Sequence, residues 1–442
     1  MSFRSLFADT RPLRVPTFRR LWTANIVTVI GAQMSVIAVP AQIYSITHSS
    51  AYVGLTGLFG LVPLIVFGLY GGALSDLFDR RKILVLTTLG LVVTTAGFWV
   101  LAAVDTRNVW ALLWTYAAQQ AFFALNQPAR GAVIPLLVPA DQLPSANALN
   151  MMVMSVGAII GPVFGGALIP LFGYEMLYAI DTLCLVATLW AVWTLPSMRP
   201  TRSGTGRRRV GMSMVLDGFR YVATNPVVLM SFVVDVIAMV FGMPRALFPE
   251  IADVTYGGPP EGGVVFSLLF ASIAAGSALG GLFSGWVSRI RRQGLAVVWL
   301  VVAWGVAMTG FGLMLPVAGY SWILSLGFGL AFLAFGGAMD VFSGAFRSAI
   351  LQEAAPDDMR GRLQGVFIVV VAGGPRVADL LHGWAAEATS PAIATAGGGS
   401  PRRDPHPRRG RGGPGLRPVR ARAGAGGHLS PEPGGRLGGE GA

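Results

Sequence analysis

Gly72-Ala-Leu-Ser-Asp76-Leu-Phe-Asp-Arg80-Arg81-Lys-Ile83 closes one long apolar run and opens another. An acid at the end of a hydrophobic stretch, then three cations, then hydrocarbon again marks a chain turning at a membrane edge. The runs on either side, 52–75 and 83–104, each approach the roughly 20 residues with which a helix crosses about 30 Å of hydrocarbon. Further runs lie at 20–46, 109–127, 146–170, 175–195, 226–250, 263–288, 295–316, 320–341 and 365–388, which makes eleven expected spans. Of the 442 residues 53% are hydrophobic and only 12% charged, and the mean hydropathy is +0.62. Soluble domains carry about 25% charged residues, so this chain lacks the charge to cover a water-exposed surface. Gly and Pro recur inside the runs, which membrane helices tolerate because neighbouring helices re-satisfy the freed backbone groups.

Alternate loops differ in charge. One set holds Arg80, Arg81 and Lys82, then Arg130, a linker at 196–225 with Arg199, Arg202, Arg207, Arg208 and Arg209, then Arg289, Arg291, Arg292, Arg347, Arg360 and Arg362. The other set is short, with Arg107 its clear basic member. The basic set and the N-terminus, with Arg4, Arg11 and Arg14, are expected on the cytoplasmic side of a bacterial inner membrane. The single cysteine, Cys184, sits in an apolar run, so neither a disulfide framework nor a thiolate metal cluster is available. No cleavable signal peptide is evident, because the first apolar run leads straight into further spans.

The chain also repeats itself. Arg130, Pro139 and Asp141 recur as Arg347, Pro356 and Asp358 at a constant offset of 217 residues. Gly71-Gly72 followed by Arg80-Arg81-Lys82 is echoed by Gly280-Gly281 followed by Arg291-Arg292. Two six-helix halves repeated in parallel are a recurrent transporter architecture. The expected divisions are an N-terminal bundle at 1–195, a cytoplasmic linker at 196–225, a C-terminal bundle of about five helices at 226–396, and a tail at 397–442. The repeat places a twelfth span near 390–412, but the residues there, Ala-Thr-Ala-Gly-Gly-Gly-Ser-Pro-Arg-Arg-Asp-Pro, cannot enter hydrocarbon. The tail is mostly Gly, Pro, Arg and Ala, a composition with no basis for a packed core. It holds nine arginines against Asp404, Glu432 and Glu440, hence half of the net charge of +12. All four residue types have GC-only codons, the output expected of a GC-rich gene read out of frame from about residue 397. The rival reading, a basic RNA- or lipid-binding tail, lacks the aromatic residues on which bases stack.

The loop that opens this section resembles the first signature of the major facilitator superfamily, G-x-L-[AS]-D-R-x-G-R-[RK]. Gly72, Leu74, Ser75, Asp76, Arg80 and Arg81 match, while Leu77 and Asp79 depart from it. Gly157-Ala-Ile-Ile-Gly161-Pro162-Val-Phe-Gly165-Gly166 resembles the superfamily's antiporter signature, with Ala148 at its first glycine position. Glycines at four-residue spacing give a smooth face for close helix packing, and Pro162 favours a bend. Phe18-Arg-Arg-Leu-Trp22, Asn126-Gln-Pro-Ala-Arg130, Pro139-Ala-Asp-Gln-Leu143 and Gly373-Gly-Pro-Arg376-Val-Ala-Asp379 are similar to the enterobactin-exporter and macrolide-efflux branch. The resemblance covers the chain to about residue 390. It implies an all-α membrane protein of two six-helix bundles, here with the twelfth helix missing or replaced by a disordered tail. It also implies a secondary transporter rather than an enzyme, working as an exporter.

Charges inside spans are functional suspects, since each is costly in hydrocarbon. Asp235 lies near the middle of span 7, and Arg245 follows beside Pro244 on the same span. Arg376 and Asp379 are three apart on span 11, on one helical face and able to pair. Asp181 lies in span 6 and Asp340 near the end of span 10. By the resemblance, spans 1, 4, 7 and 10 line the central cavity, which makes Asp235 the candidate for a proton-titrating acid. Drug/proton antiporters of the family keep an arginine inside span 4, whereas this stretch offers Gln119 and Gln120. Asn25, Gln33, Gln42 and Tyr116 are uncharged cavity candidates. Gly72, Asp76, Arg80, Arg81 and Arg130 form a cytoplasmic gate in this reading, and Gly157, Gly161, Pro162, Gly165 and Gly166 shape span 5. No phosphate-binding loop, metal cluster or catalytic triad is present, so no cofactor is expected. The partners expected are protons, the lipid bilayer and a small amphipathic, siderophore-like or drug-like substrate, with no nucleic acid and with the monomer as the working unit. The alternative is a non-transporting, truncated membrane protein or membrane partner subunit.

Overall fold

The computed structural model describes residues 9–198, 220–290, 292–354 and 360–396, and within these the side chains except at 69, 72, 73, 75–77, 227, 228, 288, 351–354, 360–369 and 396. The linker arginines from Arg199 to Arg209, Arg291, Pro356, Asp358, the side chains of Arg360 and Arg362, and the tail at 397–442 lie outside the described part.

The helices are α1 (Pro16–Thr47), α2 (Ser50–Leu77), α3 (Arg80–Ala103) and α4 (Val109–Leu137). Leu143–Trp193 is one helical run interrupted at Gly173, whose φ of 71° only glycine adopts without strain; its arms, 143–172 and 174–193, are α5 and α6. The second half comprises α7 (Pro226–Gly242), α8 (Val264–Leu282), α9 (Gln293–Met314), α10 (Trp322–Ala354) and α11 (Arg360–Ala388), followed by a short helical turn, Pro391–Ala396. Among the described residues there is no strand. Among the described residues eight stretches are long and apolar enough to cross a bilayer, one of which contains both α5 and α6. The remaining two long helices, α4 and α11, are more polar because they carry Gln119, Gln120 and Asn126, and Arg376, Asp379 and His382. Helices thus occupy all eleven stretches expected to span.

Three boundaries differ from expectation. The span at 109–127 continues to Leu137 and that at 320–341 to Ala354, so Arg130 and Arg347 lie inside helices and not in loops. Hydropathy falls at Asn126-Gln-Pro-Ala-Arg130, but the backbone stays helical through Pro128 and Pro135. The span at 226–250 breaks after Gly242. Pro244 supplies no N–H, and a tight turn at Arg245–Leu247 is followed by the looser turns Phe248–Glu250 and Ile251–Thr255. Arg245 therefore lies beyond the break and not on the same helix as Asp235.

α1 packs on α5 and α6, α2 on α4, α8 on α10, and α9 on α10. The halves meet along α2 with α11 and α5 with α8. The α2–α11 crossing is close enough to need glycine. A Cβ at Gly57 would run into the Arg376 carbonyl oxygen, and one at Gly54 would lie 2.6 Å from that of Asp379. Without a hydrophobic drive between helices in lipid, such backbone approach is what packing can supply.

Candidate functional site

Two contacts of the same kind recur, one in each half. In the first, Arg130 on α4 donates from Nη1 to Asn25 Oδ1 on α1. In the second, Arg347 on α10 forms an ion pair with Asp235 on α7 and lies 3.5 Å from Asp340 on its own helix. Asp235 is fully buried, and the Arg347 side chain is 4% exposed. Taking two such charges out of water is costly unless each meets the other directly, so the pair ties the charge on α7 to the charge on α10, and neither can be removed alone without leaving the other buried and unpaired. Sequence reasoning singled out Asp235 but took Arg347 for a loop cation. The signal was present, because an acid in mid-span demands a cation and the 217-residue repeat aligned Arg347 with Arg130.

The expected pairing of Arg376 with Asp379 does not form. Side chains on a helix lean toward its N-terminus, so Arg376 reaches back, donating to the Ala372 carbonyl at 2.8 Å and across the halves to Gln120 Oε1 on α4 at 2.8 Å. Asp379 instead accepts from the Ala246 N–H, and the charge of Arg245 acts on both Asp379 and Asp340. Arg245, Arg376, Asp379, Gln120 and Tyr116 thus form one polar cluster between the halves. Gln119 turns away to Thr95 on α3, at 3.0 Å. Asp181 is buried against α1, where it accepts from Ser35 Oγ beside Gly31.

The glycines of α5 face two partners. A Cβ at Gly157 would meet Val29, and one at Gly161 would meet Gln33, both on α1. At Gly166 it would meet Ser267 at the start of α8. Gln33 is therefore a packing neighbour of Gly161 as well as a half-buried polar group.

Hydrogen bonds between the halves gather where α1 ends and α2 begins. Ser50 Oγ donates to Glu250 at 2.5 Å, Ser49 Oγ to Glu387 at 2.9 Å, Tyr44 Oη to Asp253 at 3.2 Å, and Tyr174 Oη to the Glu261 carbonyl at 2.8 Å. The Gly263 N–H donates to Gly166 O at 3.0 Å. Between described residues, such bonds lie at this end or, as with Arg376 and Gln120, at mid-depth. Glu250, Glu387, Asp253 and Glu261 were not among the sequence candidates, since their charges fall at or beyond the ends of the expected spans.

At the opposite end, Asp79 replaces a glycine of the superfamily signature, and its role is visible. It caps α3 by accepting from the Arg81 N–H at 3.0 Å, and it holds the end of α6 through Ser197 Oγ at 2.5 Å and the Met198 N–H at 3.0 Å. Arg81 adds a bond to the Trp193 carbonyl at 2.6 Å. Partial burial works to raise the Asp79 pKa, but the bonds from Ser197, Met198 and Arg81 and the charge of Lys82 outweigh it, and the carboxyl titrates below its ordinary range. A depressed carboxylate contributes stability above its unfolded value and loses it as pH falls through the folded one. Asp79→Ala is expected to cost about 1 kcal/mol as a lost cap. It should also speed trypsin cleavage of the following arginine-rich segment at neutral pH, and the difference in thermal midpoint from wild type should shrink as pH falls below about 4. Equal cleavage at pH 7 would show that the clamp does not hold that segment.

The profile of the family described as transmembrane secretion effector matches residues 7–400. The enterobactin exporters of Shigella boydii serotype 18 and of Escherichia coli O1:K1 are each 28% identical over 384 residues, 87% of this chain and 88% of theirs. Among solved structures, a bacterial homolog of the human lysosomal transporter Spinster, inward-facing and unoccupied, matches with a TM-score of 0.64 at 16% identity, over 86% of this chain and 84% of that one. The nucleoside transporter NupG matches with a TM-score of 0.65 at 12% identity, over 86% and 95%. At such identities the likeness concerns the fold.

Proposed function

Because the chain belongs to the transmembrane secretion effector family of major facilitator transporters, we propose that it exports a small amphipathic molecule in exchange for protons, with Asp235 carrying the proton. The observation that supports this is the buried Asp235–Arg347 pair joining α7 to α10. A proton on Asp235 removes one charge of the pair, and Arg347 is left with Asp340 alone at 3.5 Å. α7 is then free to part from α10. In a low-dielectric site the loss of such a pair is a large electrostatic change, the kind of local event that biases a two-state element.

The orientation in this reading puts the basic loops and N-terminus in the cytoplasm, so the Ser50 end faces outward. In this reading the hydrogen bonds there hold the outer side closed. Gly72, Asp76, Arg80 and Arg81 act at the inner gate. The glycines and Pro162 of α5 let it slide on α1 and α8. Asn25, Gln33, Arg245, Arg376 and Asp379 line the path, and one chain suffices. The similarity to enterobactin exporters favours a siderophore over a drug as cargo.

The test is enterobactin release from bacteria deleted for their own exporters. Expression of this chain is expected to restore release, and a protonophore to abolish it within minutes. Release that persists in the protonophore would remove proton coupling. Membrane-inserted protein with no release of enterobactin or of fluorescent efflux substrates would favour the non-transporting alternative.

A further inference from the structure

Three polar contacts tie α1 to α6, and the export reading uses none of them. Thr28 meets Thr188, Ser35 donates to Asp181, and Tyr178 Oη donates to Gln42 at 2.9 Å. Thr28, Ser35 and Gln42 are seven residues apart on α1, about two turns, so they share one face. All six side chains are buried. Five of them are neutral at ordinary pH, and Asp181 is the exception.

Asp181 also differs from the other acids inside spans. Asp235 pairs with Arg347, which lies 3.5 Å from Asp340, and the charge of Arg245 acts on Asp379. Among the described residues no cation acts on Asp181, whose bonded partner is the Ser35 hydroxyl, and its Oδ1 meets no donor. The helices around it explain this. α1 carries no ionisable side chain between Arg20 and Tyr44, α3 none between Lys82 and its end at Ala103, and α5 none at all. On its own helix the groups beside it are Tyr178 and Cys184, with Tyr174 and Glu175 at the outer start. Gly31 leaves the space that Oδ1 fills, since a Cβ there would come within 2.7 Å of it. A lone carboxylate sealed in such a place is far costlier than the neutral acid, and a group so buried takes a proton instead. The neutral acid still accepts from Ser35.

We propose that Asp181 is a second exchangeable proton site, besides Asp235, and that its proton keeps the α1–α6 seam neutral. Release of the proton leaves an unpaired charge between two packed helices and weakens the seam. The proton on Asp235 works in the opposite sense, because it parts α7 from α10. Proton uptake then tightens one seam in the first half and loosens one in the second. That the Asp181 proton counts in transport rests on the export reading above; that Asp181 binds it does not.

Infrared spectra of the purified full chain in neutral detergent read the site, because the C=O of a protonated carboxyl absorbs apart from a carboxylate. At neutral pH an ordinary aspartate, with its pKa of about 3.9, is ionised. Wild type is nonetheless expected to show there a protonated-carboxyl band that Asp181→Asn lacks, and a carboxylate band should replace it as pH is raised. Once it is gone, the thermal midpoint of wild type should fall below that of Asp181→Asn. Ser35→Ala leaves the acid in place and removes its bond, so the band should move to higher frequency, a test that needs no folded Asp181→Asn. The proposal is overturned if Asp181 contributes a carboxylate band at neutral pH, or if its protonated band persists unchanged at alkaline pH. It is also overturned if Ser35→Ala leaves the band where it was, or if the two midpoints stay equal. In reconstituted vesicles fewer protons per substrate are expected in Asp181→Asn than in wild type, and equal counts would remove the site from the transport cycle. Absence of export in cells alongside an exchanging Asp181 band would count against the export reading and still support this site.

Discussion

Asp235→Asn is expected to abolish proton-driven export while the protein remains in the membrane at near-normal levels. Asn keeps the shape and a hydrogen-bond acceptor for Arg347 but cannot exchange a proton. Arg347 also retains Asp340 at 3.5 Å, so its charge is not stranded. The reverse substitution is harsher. Arg347→Gln leaves Asp235 fully buried with no cation, and breaking a buried pair from one side costs about 3–5 kcal/mol. Membrane levels and the thermal midpoint of Arg347→Gln should fall accordingly. The double variant Asp235→Asn with Arg347→Gln should recover both without recovering export. Recovery of export in the double variant would show that the pair is structural.

Gly57→Val is the second substitution of large expected effect. The Cβ it introduces lands on the Arg376 carbonyl oxygen, which is backbone and cannot swing aside. Overpacking of this kind costs about 1–3 kcal/mol, and here the cost falls on contact between the halves. α2 and α11 would be unable to close at the Ser50 end, where Ser50 meets Glu250 and Ser49 meets Glu387. Export should be lost, and a cysteine placed near Ser50 should become accessible to a membrane-impermeant thiol reagent from outside. Gly131→Ala is the control, because nothing lies within 4 Å of the added carbon. An unchanged export rate in Gly57→Val would mean that the close crossing is not required.

Much of the fold was legible because bilayer spans declare themselves by length and hydropathy, and because the 217-residue repeat states the relation of the halves. Part of what sequence reading missed has one physical cause. Helices in this chain run on past the point where hydropathy falls, so Arg130 and Arg347 read as loop charges although α4 and α10 carry them inside the bundle. The same error hid the Asp235–Arg347 pair, since a partner assigned to a loop is not sought. The supposed Arg376–Asp379 pair failed for a different reason. Residues three apart share a face, but both side chains lean the same way along the helix, and Arg376 found Gln120 across the halves. Asp79 read as a departure from the superfamily signature, and its partners Ser197 and Met198 lie more than a hundred residues on, beyond any local pattern. The inner gate assigned to Gly72, Asp76, Arg80, Arg81 and Arg130 belongs with the proposed function.

Proton counter-flow is the most direct test of coupling through the α7–α10 pair. The chain is reconstituted into vesicles that trap a pH-sensitive dye, and an enterobactin gradient is imposed with no initial pH difference. Substrate moving down its gradient is expected to drive protons the opposite way in the wild type, with no proton movement above leak in Asp235→Asn. Substrate transport with no proton flux, or equal flux in Asp235→Asn, would contradict it.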